Sequence, residues 1–237
     1  GFLCLPFYTN ILQCGISPDK VHYIGGMSRT ANMERKKVRD ILFKLSKNDI
    51  NDDDDDDYNN TNDNINYLLY SFGGFKSPID QVVTKWKSPP SNWRVIWIDR
   101  QDNIKNTDDL NAIPQKGIQI ITQKQLELYN IEYIDLLIAI DVILIKTGFG
   151  IVSECIRYDI PVLYVDRPGF VEHLSLVESL KENVPTMEIS LQNAVSCSVF
   201  DECSLLLKEK HSKDRKTYND FKFNGPKQII EILHAIN

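Results

Sequence analysis

A chain of 237 residues, 42% hydrophobic and 25% charged, is long enough to bury a proper core in one or two domains and has the composition of an ordinary globular protein. Net charge is −6, but Asp52 to Asp57 and Asp63 put seven aspartates and no Lys or Arg into residues 51–66, so the remainder stands at −6 less −7, or +1, which argues against a nucleic-acid surface. No apolar run reaches the ~18 residues that span a bilayer, no signal peptide is visible, and five Cys without a C-x-x-C plus four scattered His argue against a zinc site or a disulfide scaffold; reduced, mostly buried thiols in a cytoplasmic protein are expected.

The chain opens Gly-Phe-Leu-Cys-Leu-Pro without a Met and reads as a piece of a longer protein. Residues 1–27 have apolar and glycine segments without helical period, as in the last strand and linker of a preceding domain. Ser28 or Thr30 can cap a helix, and Val38, Ile41, Leu42 and Leu45 give that helix one apolar face. The basic cluster Arg35, Lys36, Lys37 and Arg39 reads as its solvated face.

Residues 49–66 are Asn/Asp-rich and cannot bury enough apolar surface to offset their ordering entropy. A disordered surface insertion is expected. Its six consecutive Asp have no fixed geometry for a chelate, and the sequon Asn59-Asn60-Thr61 sits in an Asn-rich tract without a signal peptide. Deleting Asn51 to Asn64 is expected to leave the melting temperature nearly unchanged. A loss above about 2 kcal/mol would place the segment in the fold.

Asn66 to Phe72 is a predicted strand running into Gly73-Gly74, and Pro78 suits the first turn of a helix over roughly Ile79 to Lys87. A glycine pair at such a turn either seats an anion or simply tightens the turn. Arg94 to Ile98 and Ile118 to Thr122 are further strands, and Tyr133 to Ile140 is a helix turning Leu136, Leu137 and Ile140 towards the sheet.

The most informative stretch runs from Tyr133 to Leu180. Asp141 to Ile145 is an apolar, β-branched run; Lys146-Thr147-Gly148-Phe149-Gly150 is a turn; Ile151 to Tyr158 is a helix; Pro161 to Val165 is a second apolar run. Strand, glycine turn, helix, strand is a βαβ unit and implies a parallel sheet. Two readings of the turn stay open on spacing alone, because a lone G-x-G is a weak signal. In one, Gly148, Phe149 and Gly150 cradle a phosphate at a helix N-terminus, with Ser153 and Glu154 near a ribose. In the other, the glycines only make a tight βα turn. Arg167 follows the last strand, where open α/β sheets bind ligands. Its guanidinium matches phosphate geometry, or it forms a surface salt bridge with Asp166 or Glu172. His173 is a catalytic-base candidate on position alone, the plainer reading being a helix N-terminal residue contacting solvent. Phe200 to Lys210 and Lys227 to Ile236 are closing helices around a turn at Phe223-Asn224-Gly225-Pro226.

The order Asp, apolar run, Lys-x-Gly-x-Gly-x-x-Ser-Glu, Pro-Val-Leu-Tyr-Val-x-Arg resembles the C-terminal, nucleotide-sugar-binding half of GT-B glycosyltransferases, near the family 28 group that includes the MurG type. It is more similar still to the glycosyltransferase-like region of plant arabinokinases. The resemblance covers most of Ser28 to Asn237 and is densest from Ile134 to Glu172. It implies a doubly wound, Rossmann-like α/β sheet in residues 67–237, with residues 1–48 as linker and helix from a missing N-terminal domain and residues 49–66 as the insertion. It implies a nucleoside diphosphate sugar, UDP-linked, as donor substrate, an acceptor of unknown identity, and neither cofactor nor metal. Diphosphate contacts would come from Gly73, Gly74, Gly148, Phe149, Gly150 and Arg167. Ribose or base contacts would come from Ser153, Glu154, Asp99 and Arg100, and donor-sugar contacts from Glu172 and His173. The general base of inverting members lies in the N-terminal domain, so no catalytic residue is assigned, and the fragment alone is expected to be inactive. No kinase motif follows. A module that binds a nucleotide or sugar without transferring it, and a GT-B-fold epimerase, are the alternatives.

Overall fold

The computed structural model describes residues 2–4, 17, 20–48, 64–72, 88–99, 117–196, 198–212 and 222–236. Six strands form one parallel sheet: β3 (Asn66–Ser71), β4 (Trp93–Asp99), β5 (Ile118–Thr122), β6 (Val142–Lys146), β7 (Val162–Val165) and β8 (Thr186–Ile189), in the order β5-β4-β3-β6-β7-β8. All five pairings are parallel, with Leu68 opposite both Val95 and Val142. β1 (Phe2–Cys4) and β2 (Val21–Tyr23) form a separate parallel pair.

Chain order runs outwards from β3 to one edge, then returns beside β3 and runs to the other. This is the Rossmann order, whose reversal lies between β3 and β6. The strands are nearly continuous apolar runs because both faces are covered. On one face Tyr67, Leu69, Ile143, Ile145, Val162 and Tyr164 meet α1 (Arg35–Asn48), α3 (Tyr133–Ala139), α4 (Phe149–Arg157) and α5 (His173–Asn183). On the other, Leu68, Tyr70, Val142, Leu144, Leu163 and Val165 meet Ala194 of α6 (Leu191–Ser196) and Cys203 and Leu206 of α7 (Phe200–Lys210). Period-two alternation along each strand thus supplies two cores, the α/β architecture expected from the sequence. α2 (Gln123–Leu128) and α8 (Gly225–Ile236) complete the described helices. None of them is long and apolar enough to cross a membrane.

Several sequence expectations are corrected here. The first helix begins at Arg35, so neither Ser28 nor Thr30 caps it; Ser28 Oγ donates to the Arg29 carbonyl, and Thr30 Oγ1 accepts from Arg157. Arg35, Lys36 and Lys37 are exposed as expected, but Arg39 is not part of that solvated face, and both arginines are engaged at their tips. Arg35 donates to the carbonyls of Ile138 and Ile140 at the end of α3 and to Asp141 Oδ1; Arg39 donates to Asp141 Oδ2 and the Ile65 carbonyl. The acidic insertion ends earlier than residue 66, because Ile65 is buried and Asn66 opens β3; residues 51–63 and the helix expected over 79–87 lie outside the described residues. Cys155 and Cys203 are buried thiols outside any disulfide, and burial pushes the Cys155 thiol far up.

The segment before α1 is tied down by buried groups. Asp135 accepts from the backbone N–H groups of Asn32, Met33 and Glu132 at 2.6, 2.9 and 3.0 Å. Residues 24–26 cross residues 222–225 at backbone contact. Gly26 N–H donates to the Lys222 carbonyl at 2.8 Å and Gly25 N–H to Gln228 Oε1 at 2.6 Å. A Cβ at Gly25 would overlap Asn224 and the Lys222 carbonyl, and one at Gly225 would overlap the Gly25 carbonyl.

Candidate functional site

β6 ends at Lys146, and Thr147-Gly148 turns the chain directly into α4. Gly148 is the N-cap and offers no side chain; the first rung of the helix is Val152 N–H to the Gly148 carbonyl at 3.1 Å. The N–H groups of residues 149–151 therefore lie ahead of the helix ladder, at its positive end. A Cβ built on Gly148 or Gly150 would meet nothing within 4 Å, so both glycines face open space.

That space is a cavity of about 1070 Å³ at the carboxyl ends of β3 and β6, where the strand order reverses. Gly148, Gly150, Glu154 and Arg167 line it together, so four of the expected contacts converge. Lys146, Thr147, Arg29, Ser71 and Tyr133 line it too. Ser71 Oγ and the Tyr133 hydroxyl are hydrogen-bonded to each other at its wall. Phe72, Ile98, Leu126 and Ile131 supply apolar surface.

Charge is arranged around the turn. Arg167 donates to the Thr147 carbonyl at 2.8 Å, and its guanidinium lies 3.7 Å from the Phe170 ring centre, which fixes it in place. Lys146 Nζ lies 5.6 Å from the Phe72 ring centre. Glu154 is 4% exposed, and its two carboxylate oxygens accept from Arg29 Nε and Nη2 at 2.6 and 3.1 Å. The hydrogen bond to Glu154 holds the Arg29 guanidinium above its usual pKa. Arg29 also stacks over Tyr133 at 5.5 Å. Glu154 thus orients a cation at the cavity as well as presenting a carboxylate to it.

The remaining expected contacts are placed differently. Phe149 packs its ring against the core, leaving its backbone to the turn. Ser153 is fully buried, does not line the cavity, and its Oγ lacks a hydrogen-bond partner. Glu172 is the N-cap of α5 and is not among the cavity-lining residues. His173 is not a solvent-facing helix residue. It is 8% exposed, with Nδ1 2.7 Å from Thr147 Oγ1 and Nε2 3.1 Å from Asp166 Oδ1. The backbone of Asp99 closes β4, while Gly73, Gly74 and Arg100 lie outside the described residues. Sequence reasoning missed Arg29 and the role of Lys146. The only available signal for Lys146 was its place one residue before Thr147 in the turn, and Arg29 had none.

No protein-family model matches the chain, and no curated protein matches it. Solved structures do. The glycotransferase of kitacinnamycin superposes with a TM-score of 0.53 at 12% identity, over 97% of this chain and 52% of its own. CalG4, the calicheamicin glycosyltransferase, superposes with a TM-score of 0.51 at 15% identity, over 73% of this chain and 42% of its own. The fold is shared with GT-B glycosyltransferases. At these identities the likeness is one of fold, and the chain spans about half the length of the structures it matches.

Proposed function

We propose that this chain is the donor-binding part of a glycosyltransferase and holds a nucleoside diphosphate sugar, UDP-linked, at the end of β6. The observation that carries the reading is the open space over Gly148 and Gly150, at the head of α4 and inside the cavity at the strand-order reversal. A diphosphate there would meet backbone N–H groups and the helix dipole, with Lys146 and Arg167 alongside. Transfer would be displacement at the anomeric carbon with the nucleoside diphosphate departing. The same N–H groups and cations would stabilise the charge developing on that leaving group. The general base and the acceptor site are assigned to the rest of the intact protein. The sequence motif around Lys146 to Glu154 supports kinship with the family 28 type and with the glycosyltransferase-like region of arabinokinases.

The test is a calorimetric titration of UDP-glucose into the 237-residue chain and into the full-length protein. Binding to both is expected; no binding to either at millimolar concentration would end the reading. Turnover by the intact protein then separates a transferase from a module that binds without transfer. Glu154→Gln is expected to weaken binding by about 1–3 kcal/mol, the scale of a charged hydrogen bond. Arg29→Ala checks the route of that effect. If Glu154 acts by orienting Arg29, adding Glu154→Gln to Arg29→Ala will change little further in a double-mutant cycle.

A further inference from the structure

Thr147 immediately precedes the glycine turn, and both of its side-chain and carbonyl oxygens are engaged by the segment after β7. Arg167 donates to its carbonyl at 2.8 Å, and Oγ1 lies 2.7 Å from His173 Nδ1. His173 Nε2 in turn lies 3.1 Å from Asp166 Oδ1. An ionised carboxylate only accepts, so the ring proton belongs on Nε2, and Nδ1 of the neutral ring is an acceptor. The hydroxyl of the fully buried Thr147 then donates to His173. Protonation reverses the bond: Nδ1–H donates to Thr147 Oγ1, and a positive charge sits one hydrogen bond from the turn.

We infer that His173 is a positioning residue whose proton state sets the affinity of the glycine turn for a diphosphate, tighter with the imidazolium than with the neutral ring. This rests on the reading of the turn as a phosphate seat. Histidine changes charge between pH 5 and 8, the range in which such a coupling is felt. Glu172, the N-cap of α5, is the charged neighbour next in sequence. Asp166, on the loop after β7, faces Nε2 at 3.1 Å. Tyr164 of β7 presents its ring 6.0 Å away, and its hydroxyl donates to Glu188 of β8. Burial, and then Glu188, push that hydroxyl up to about 12, so Tyr164 does not titrate in the same range. From α4, which packs on α5, Glu154 is paired with Arg29. Arg167 reaches the turn through the Thr147 carbonyl.

The probe is UDP-glucose, whose two phosphates are both esterified and each keep about one negative charge across this range. Its affinity for the wild-type chain is expected to rise about fivefold from pH 8 to pH 5.5, the low end of measured couplings. His173→Gln, which cannot titrate, is expected to flatten that slope. Thr147→Val cuts the relay from its other end, is expected to reduce the slope too, and serves if His173→Gln fails to fold. Nitrogen NMR of the wild-type imidazole reads the relay without any ligand and is expected to show the proton on Nε2 in the neutral ring. A proton on Nδ1, or equal slopes in wild type and both variants, overturns the inference. If the tautomer is as expected but UDP-glucose binds at no pH, to this chain or to the full-length protein, the phosphate-seat reading has failed and the inference falls with it.

Discussion

Gly150→Val is expected to abolish nucleotide binding while leaving the protein folded. The position is the second residue of α4, and its missing Cβ points into open cavity with nothing within 4 Å. Branched methyl groups there would occupy the space where a phosphate has to approach the backbone, and would screen the N–H groups of the first helical turn. They would displace nothing from the core. Replacing glycine inside a helix removes its entropic penalty of ~0.5–1 kcal/mol, which offsets the modest helix cost of a β-branched residue. Calorimetry should show at least a hundredfold loss of UDP-glucose affinity, about 2.7 kcal/mol, alongside an unchanged urea midpoint. Retained affinity in the folded variant would move the phosphates away from the turn. Gly148→Ala probes the same space from the N-cap. Gly148 has φ −160° and ψ 150°, an extended conformation open to any residue, so that variant too should fold.

Asp141→Ala carries the largest expected cost in stability, about 3–5 kcal/mol. The carboxylate is 14% exposed and accepts from Arg35 and Arg39, each at 2.6 Å, and from the Tyr67 N–H at 2.7 Å. It lies at the start of β6, so it ties α1 to the central pair of strands. Removing it leaves a 16% exposed Arg39 and a half-buried backbone donor without their main acceptor. Chemical denaturation should show the loss as a lowered midpoint. Asp141→Asn keeps the shape and some acceptor capacity and should lose less. Equal stability of wild type and the alanine variant would mean that the apolar face with Val38 and Leu42 and the remaining arginine–carbonyl bonds suffice to hold α1.

The βαβ unit was legible because its strands are buried on both faces and its turn is spelled by two glycines. The strands from Asn66, Trp93, Ile118, Val142 and Val162 all fall within two residues of their expected positions. β8 was not expected. Thr186-Met187-Glu188-Ile189 is an edge strand with only Ile189 buried, so it lacks the apolar run of a central strand. α2, Gln-Lys-Gln-Leu-Glu-Leu, buries only Leu126 and is held by a capping box between Thr122 and Gln125. Polar links between distant positions were illegible for a different reason. The partners of Arg29 and Arg39 lie 125 and 102 residues away in sequence, and helical spacing shows only which residues share a face. Arg39 therefore looked like a solvated charge, Glu154 was read as a ribose contact with no sign of its partner Arg29, and His173 looked exposed although Thr147 and Asp166 bracket it.

The crossing of residues 24–26 with residues 222–225 also has a mechanical meaning. Gly25 lies four positions before Arg29, and its backbone is threaded against Asn224 and Gly225 without room for one methyl group. One of the cations at the cavity is therefore moored by a stretch of chain that lines no part of it. A Gly25 or Gly225 substitution would act as a slipped knot. The lining residues would keep their identities, yet the guanidinium opposite Glu154 would lose its anchorage. Changes near the closing helix can thus retune the electrostatics of the cavity from a distance, a route that inspection of its walls alone would never reveal.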